Sequence, residues 1–67
     1  MDTITRALHE RRVSLRLTQA EAADLAGVSE RFIRTLETGK QSVQFDKVLA
    51  LADALGLELR PVLRGTP

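Results

Sequence analysis

The stretch TQAEAADLAGVSERFIRTLETGK, from Thr18 to Lys40, has one internal glycine and a second glycine near its end. Glu21 follows the opening threonine by three positions. This spacing is typical of a capping box, in which the threonine side chain accepts the glutamate amide and the glutamate reaches back to the threonine amide. We expect the helix that begins here to end at Gly27, because glycine readily adopts the left-handed conformation that follows a last helical turn.

A second short helix is predicted directly after this glycine. Ser29 can cap its first turn, and the segment ERFIRTLETG ends on Gly39 in the same way. Two short helices joined by the tight turn LAGVS are typical of the helix-turn-helix unit, whose second helix is free to enter the major groove of DNA. The residues expected to face inward are small or aliphatic, namely Ala23, Ala26, Val28, Ile33 and Leu36.

The outward face of this second helix carries side chains suited to contacting base edges. These are Glu30, Arg31, Arg34 and Thr35. Arginine can donate two hydrogen bonds to guanine, glutamate can accept from cytosine, and threonine can contact the thymine methyl group. The alternative is a solvated helix face on which Glu30 and Arg34 form an ion pair across one turn. We favour contact with the groove.

Two further helices flank this unit. The first is predicted over about residues 3 to 15, with Ile4, Leu8 and Leu15 near one stripe. The other is predicted from about Gln44 to Leu55. Its apolar side chains recur at spacings of three and four, at Phe45, Val48, Leu49, Ala52 and Leu55.

After Gly56 the apolar pattern changes to an alternating one. Leu57, Leu59 and Leu63 are separated by other side chains, which predicts a strand over residues 57–64. A lone strand would leave both of its backbone edges unpaired, so we expect it to pair with its copy in a second subunit. The predicted dimer interface comprises Leu57, Leu59, Val62 and Leu63.

Length and composition limit the possible classes of protein. A chain of 67 residues forms one small domain, without room for a deep pocket. The net charge is only +1, so the total charge does not argue for nucleic acid and the placement of charges must. We expect a helix-turn-helix domain over residues 1–56 with its motif at about 18–38, then the strand, then a frayed tail over 65–67.

The absence of cysteine excludes a disulfide framework and suits a reducing compartment. The chain does not open on a basic stretch followed by an apolar run, and no apolar run is long enough to cross a bilayer. We therefore expect a cytoplasmic protein that does not bind a membrane.

Catalysis and metal binding are not expected. The serines Ser14, Ser29 and Ser42 have no credible histidine partner, and the carboxylates are scattered over several helix faces. His9 is the only histidine and has no cysteine or second histidine with which to share a metal, so we interpret it as an ordinary surface residue. The sequence predicts no cofactor and no enzymatic activity.

Residues throughout this unit match a known pattern. They are Leu17, Thr18, Gln19, Glu21, Ala23, Gly27, Val28, Ser29, Ile33, Glu37, Gly39 and Lys40. At these positions the chain resembles the Xre/Cro-type helix-turn-helix repressors. The resemblance implies a mainly α, compact four-helix or five-helix lambda-repressor-like domain, here with a short C-terminal β-strand pairing across a dimer. It also implies a repressor that binds a palindromic operator in double-stranded DNA as a homodimer.

The resemblance assigns roles to individual residues. Gln19 matches the family's contact with phosphate and base edges, and Lys40 lies where the family binds a phosphate. Arg12 and Glu37 lie where family members often hold a partly buried ion pair between the first and third helices. The recognition-helix face corresponds to Ser29, Glu30, Arg31, Arg34 and Thr35.

Each of these roles has an alternative. A surface glutamine early in a helix needs no purpose, so Gln19 stays open between a DNA contact and no role. Lys40 could simply complement the dipole at a helix end. Arg12 and Glu37 could be two exposed charges, because exposed pairs are common and contribute little.

Three positions depart from the family pattern. Glu30 brings a negative charge to a groove face, where it repels phosphate unless it accepts from a cytosine or orients Arg31 or Arg34. Ala22 stands where leucine is usual, so we expect core volume to come from elsewhere, such as Leu25. Arg16 stands where glycine is common, and a left-handed arginine would cost about 1 to 2 kcal/mol. We therefore expect the turn after the first helix to be built differently.

The final segment LADALGLELRPV further resembles the HipB-type antitoxins, in which a strand after the last helix pairs across a dimer. This resemblance implies a HipA-like toxin as a possible partner. A second hypothesis follows from it, namely a protein-interaction module that mainly neutralises a toxin and binds DNA weakly or not at all. The two arginines of the recognition face favour DNA.

Overall fold

The computed structural model describes residues 3–39 and 44–60, which contain four α-helices. They are α1 (Thr3–Ser14), α2 (Gln19–Ala26), α3 (Glu30–Glu37) and α4 (Phe45–Ala54). Helix α2 packs against both α3 and α4, and α1 packs against α3. The mainly helical prediction is confirmed. Among the described helices, none is long and apolar enough to cross a membrane.

The helix-turn-helix unit has the predicted caps. Thr18 Oγ1 accepts the Glu21 amide at 3.0 Å, and Glu21 Oε1 accepts the Thr18 amide at 2.8 Å. Helix α2 ends at Gly27, which is left-handed with φ 70°. Ser29 Oγ then accepts the Phe32 amide at 3.0 Å and starts α3. Local capping chemistry therefore fixes the short turn between the two helices.

The core is aliphatic and receives side chains from all four helices. Its buried apolar members are Leu8, Ala22, Ala23, Ile33, Leu36, Val48, Leu51, Ala52 and Leu55. Of the five residues predicted to face inward in the helix-turn-helix unit, Ala26 and Val28 are partly buried against this core. The other three are fully inside it, as predicted.

The predicted apolar stripes of α1 and α4 are partly wrong. In α1, Leu8 is buried, but Ile4 and Leu15 are more than 40% exposed, and the inward position one turn before Leu8 is taken by Thr5. In α4 the buried stripe runs through positions 48, 51, 52 and 55. Leu51 therefore belongs to the core, although it was not among the residues predicted to face inward. Phe45 and Leu49, predicted to face inward, are exposed. The stripe is rotated by part of a turn, because the neighbouring helices decide which side of an apolar helix is covered.

Ala22 is fully buried, and Leu25 does not replace the missing leucine volume. Leu25 is 62% exposed and points away from the core. A methyl side chain at position 22 instead lets the helices of the domain approach one another closely. The expectation for Leu25 is wrong.

The turn after α1 uses the left-handed conformation despite its arginine. Arg16 has φ 59°, so the expectation of a differently built turn is wrong. The Leu17 amide donates to the Arg12 carbonyl at 3.1 Å, and the Arg16 amide donates to the Val13 carbonyl at 2.9 Å. These are the two hydrogen bonds of a Schellman motif, which satisfies the last carbonyls of the helix.

Residues 57–60 do not form the predicted strand. Gly56 is left-handed, and the Leu57 amide donates to the Ala52 carbonyl at 2.8 Å, which closes the end of α4. Leu57 and Leu59 then pack, partly buried, against the core of their own chain. Alternating leucines fit such an extended covering segment as well as they fit a strand. The remaining strand and tail residues, 61–67, lie outside the described residues, and so do Val62 and Leu63 of the predicted dimer interface.

Candidate nucleic-acid interface

The exposed side of α3 carries an arginine that has no partner among the described residues. Arg31 is exposed and has no ion pair or side-chain hydrogen bond within residues 3–39 and 44–60. Thr35, one turn further on, is half-buried beside it. A guanidinium free of intramolecular partners keeps all of its donors for a ligand, and its fork geometry suits the edge of guanine or a phosphate.

Ser29 caps the start of α3, because its side-chain oxygen accepts a hydrogen bond from the Phe32 amide. A serine hydroxyl has one donor as well as its acceptor sites, so that donor stays available at the start of α3. Ser29 and Arg31 line one side of an open groove in the described surface, together with Thr35. The structure therefore brings these three predicted residues together.

Glu30 and Arg34 pair with each other on the same helix. Arg34 Nη2 donates to Glu30 Oε2 at 3.0 Å, and both side chains are about half exposed. The alternative ion pair considered from the sequence therefore exists. Because it is exposed, water and DNA can both compete for either group, so the pair orients Arg34 without fixing it.

Two residues that the sequence did not indicate lie just before α4 and in its first turn. Gln44 and Lys47 line the same groove as Arg31 and Phe32. Lys47 Nζ lies 5.8 Å from the centre of the Phe32 ring, a distance that suits a cation–π contact. These residues could be found only once the packing of α4 was known, since they lie outside the motif.

Glu37 forms the centre of a second polar cluster behind α3, which we call the Glu37 cluster, made of His9, Arg12, Gln19 and Glu37. Arg12 Nε donates to Oε2 at 2.7 Å and Arg12 Nη2 to Oε1 at 3.0 Å. Arg12 and Glu37 are only 13% and 10% exposed. Arg12 Nη1 also donates to the Leu17 carbonyl at 2.7 Å. The forked ion pair thus ties α1 to α3 and to the turn before α2.

Opposing influences act on the Glu37 carboxyl. Burial raises its pKa and is the largest single influence. The hydrogen bonds from Arg12 and Gln19, the approach of His9 and the charge of Arg12 together outweigh burial, so the pKa lies below its ordinary value. Glu37 is therefore held as a carboxylate in the folded domain.

Gln19 and His9 both reach this carboxylate. Gln19 Nε2 donates to Glu37 Oε1 at 3.0 Å, so the predicted DNA contact is engaged inside the protein. His9 Nδ1 lies 3.1 Å from the same oxygen, which corrects the interpretation of His9 as an ordinary surface residue. The sequence carried no signal for this contact, because the two residues are far apart in the chain.

Lys40 lies outside the described residues. Within the part of the chain that the structure describes, no group of His, Cys, Asp or Glu side chains is arranged to hold a metal ion.

The sequence matches the model of a helix-turn-helix domain family over residues 4–64. The chain belongs to this family, and the membership indicates a DNA-binding regulator. No curated protein matches the sequence.

Proposed function

We propose that this protein is a sequence-specific repressor of transcription that inserts α3 into the major groove of its operator. The observation that carries this proposal is the exposed Arg31, which makes no ion pair or side-chain hydrogen bond with the residues that the structure describes. Its neighbours Ser29 and Thr35 add a donor and a methyl-bearing side chain on the same groove.

In the proposed complex, the residues around α3 contact the sugar–phosphate backbone of the DNA. Lys47 adds a positive charge on the wall of the groove that Arg31 lines, where a phosphate would approach. Lys40 and Gln19 are proposed as phosphate contacts from their match to the family pattern. Arg34, oriented by Glu30, lies on the same face and can shift from its partner to a base.

We propose that the protein binds a palindromic operator as a homodimer. An apolar groove supports this, lined by Ile4, Phe45, Leu49, Leu59 and Arg60. Phe45 is 68% exposed, and covering such a surface is a driving force for association. A twofold dimer places two recognition helices about one helical turn, roughly 34 Å, apart on the DNA. The segment 57–64, whose Leu59 and Arg60 line this groove, is proposed as part of the interface.

The finer biological role follows from the resemblance of the last segment to HipB-type antitoxins. We propose that the chain is the operator-binding antitoxin of a toxin–antitoxin pair in the cytoplasm, with a HipA-like toxin as its partner. A module that only neutralises a toxin would have no use for the Arg31 face. The two functions are compatible in one chain.

Selection of bound duplexes from a random DNA pool tests the proposal. We expect an enriched palindrome with half-sites about one turn apart. An enriched single half-site would contradict the dimer but not the DNA contact. A pool without enrichment would contradict sequence-specific binding and favour the toxin-binding module.

A further inference from the structure

Three nitrogen atoms lie within 3.1 Å of Glu37 Oε1, which is more than the number of hydrogen bonds that this oxygen can accept. Arg12 Nη2 and Gln19 Nε2 each donate to it at 3.0 Å, and His9 Nδ1 lies 3.1 Å away. Each oxygen of an ionised carboxylate offers about two lone-pair sites. The first two donors fill these sites. Accordingly, His9 Nδ1 is buried without a hydrogen-bond partner among the described residues.

Protonation of His9 changes this competition. A neutral imidazole can leave Nδ1 without a proton, whereas an imidazolium carries a proton on both ring nitrogens. The charge of an imidazolium adds Coulomb attraction to its hydrogen bond with a carboxylate, which the neutral amide of Gln19 lacks. Arg12 is also charged and binds both oxygens of Glu37, so the neutral amide of Gln19 is the donor that gives way.

Few other charges bear on this exchange. From α3, Glu37 faces His9, and from α1 itself Arg12 lies beside them. Helix α2 contributes only the uncharged Gln19. Within residues 3–39 and 44–60, no further charged group makes an ion pair with His9 or Glu37. The charge state of His9 is therefore the variable part of the Glu37 cluster.

We propose that His9 is a positioning residue for DNA binding, whose protonation takes Oε1 of Glu37 from Gln19 and frees the Gln19 amide to donate to a DNA phosphate. The inference rests on the proposed function, in which Gln19 at the start of α2 contacts DNA. Gln19 is then held by Glu37 when His9 is neutral and available when His9 is charged. Affinity for DNA is therefore higher when His9 is charged than when it is neutral.

The pH dependence of operator affinity tests this exchange. The selected operator is titrated at pH 8 and pH 5.5 at fixed ionic strength with the wild type, His9→Gln and Gln19→Ala. The wild type should gain about three- to tenfold more affinity at pH 5.5 than either variant, the effect of one released hydrogen bond. His9→Gln is the matched control because its amide does not titrate. Equal gains in all three proteins would overturn the inference.

A measurement without DNA separates this inference from the proposed function. In the free protein, the side-chain amide signals of Gln19 in NMR spectra should move with the same pH midpoint as the His9 ring, and should stay fixed in His9→Gln. A Gln19 amide that does not respond to His9 would overturn the inference even in a protein that binds DNA well. Coupled titration in a protein that selects no DNA site would instead overturn the proposed function while establishing the exchange on Glu37.

Discussion

Two ion pairs of similar length occupy opposite environments in this domain. Arg12 and Glu37 are 2.7 Å apart and about nine-tenths buried, whereas Arg34 and Glu30 are 3.0 Å apart and about half exposed. The first joins two helices that are distant in sequence, and the second lies within one helix. Distance alone does not distinguish them. Burial does, because a buried charge that loses its partner is left uncompensated, while an exposed one is solvated by water.

Because of this difference in burial, the two faces of α3 have different roles. The inner face holds the Glu37 cluster and fixes the position of the helix against α1 and the start of α2. The outer face carries groups that contribute little to folding and are free to exchange partners. Stability should therefore respond mainly to changes on the inner face, and the preference for particular base pairs to changes on the outer one.

The largest expected effect comes from removing the buried carboxylate. Glu37→Ala should lower the free energy of unfolding by about 3 to 5 kcal/mol, because it leaves the Arg12 guanidinium buried and unpaired. Urea denaturation followed by circular dichroism measures this loss. The double replacement Arg12→Met with Glu37→Leu is the control and should cost less. If the single variant is as stable as the double, the pair does not hold the inner face together.

The second largest effect is expected at low pH, where protonation of Glu37 weakens the same ion pair and lowers the free energy of unfolding. The pKa of Glu37 is lowered in the folded state, so between that value and the ordinary 4.5 the unfolded chain binds the extra proton. The stabilisation is thus fully present above pH 4.5 and is lost as the pH falls through the folded value. Urea midpoints of the wild type should fall more steeply below pH 4.5 than those of Glu37→Gln. Parallel curves would mean that Glu37 titrates alike in both states.

A smaller effect is expected in the turn after α1, where replacing Arg16 should stabilise the domain. Arg16→Gly should raise the free energy of unfolding by up to about 1 kcal/mol, because relief of the left-handed arginine exceeds the added entropy of the unfolded chain. Arg6→Gly, in the interior of α1, is the matched control and should lower stability by about 1 kcal/mol. Thermal and urea unfolding of both variants decide the sign. A loss at Arg16 would show that its side chain contributes more than the strain.

The exposed pair should give the smallest effect on folding. Glu30→Gln should change the free energy of unfolding by less than about 0.5 kcal/mol, as expected for an exposed pair one turn apart in a helix. Glu58→Gln, which removes the exposed partner of Arg60, is the control and should behave alike. A loss above about 1 kcal/mol from Glu30→Gln would break the comparison between the two faces.

The parts of the fold that depend on neighbouring residues were predictable from sequence. Thr18 with Glu21, and Ser29 ahead of α3, are capping signals that act within one helical turn, and the structure contains them where expected. Gly27 ends α2 for the same local reason. These signals fixed the helix-turn-helix unit, whose recognition face could then be proposed from helical spacing.

Features that depend on packing were less predictable. Phe45 and Leu49 share the apolar character of α4, and the packing of the neighbouring helices decides that Leu51 is covered instead. The approach of His9 to Glu37 joins residues on different helices and leaves no periodic pattern. Arg16 adopts a conformation that its residue type disfavours, because the hydrogen bonds of the turn and the neighbouring helices impose it. An intersubunit strand would need a second chain, which no local pattern specifies.

Titration of Arg31→Ala against every single-base variant of the selected operator tests the central claim most directly. The account predicts a loss of about 1 to 3 kcal/mol on the preferred site and a flattened preference at one base pair in each half-site. Arg6→Ala removes an exposed arginine from α1 and should leave the preference profile unchanged. An Arg31→Ala profile that stays as sharp as the wild type at every base pair would contradict the assignment of the outer face of α3 to base contacts.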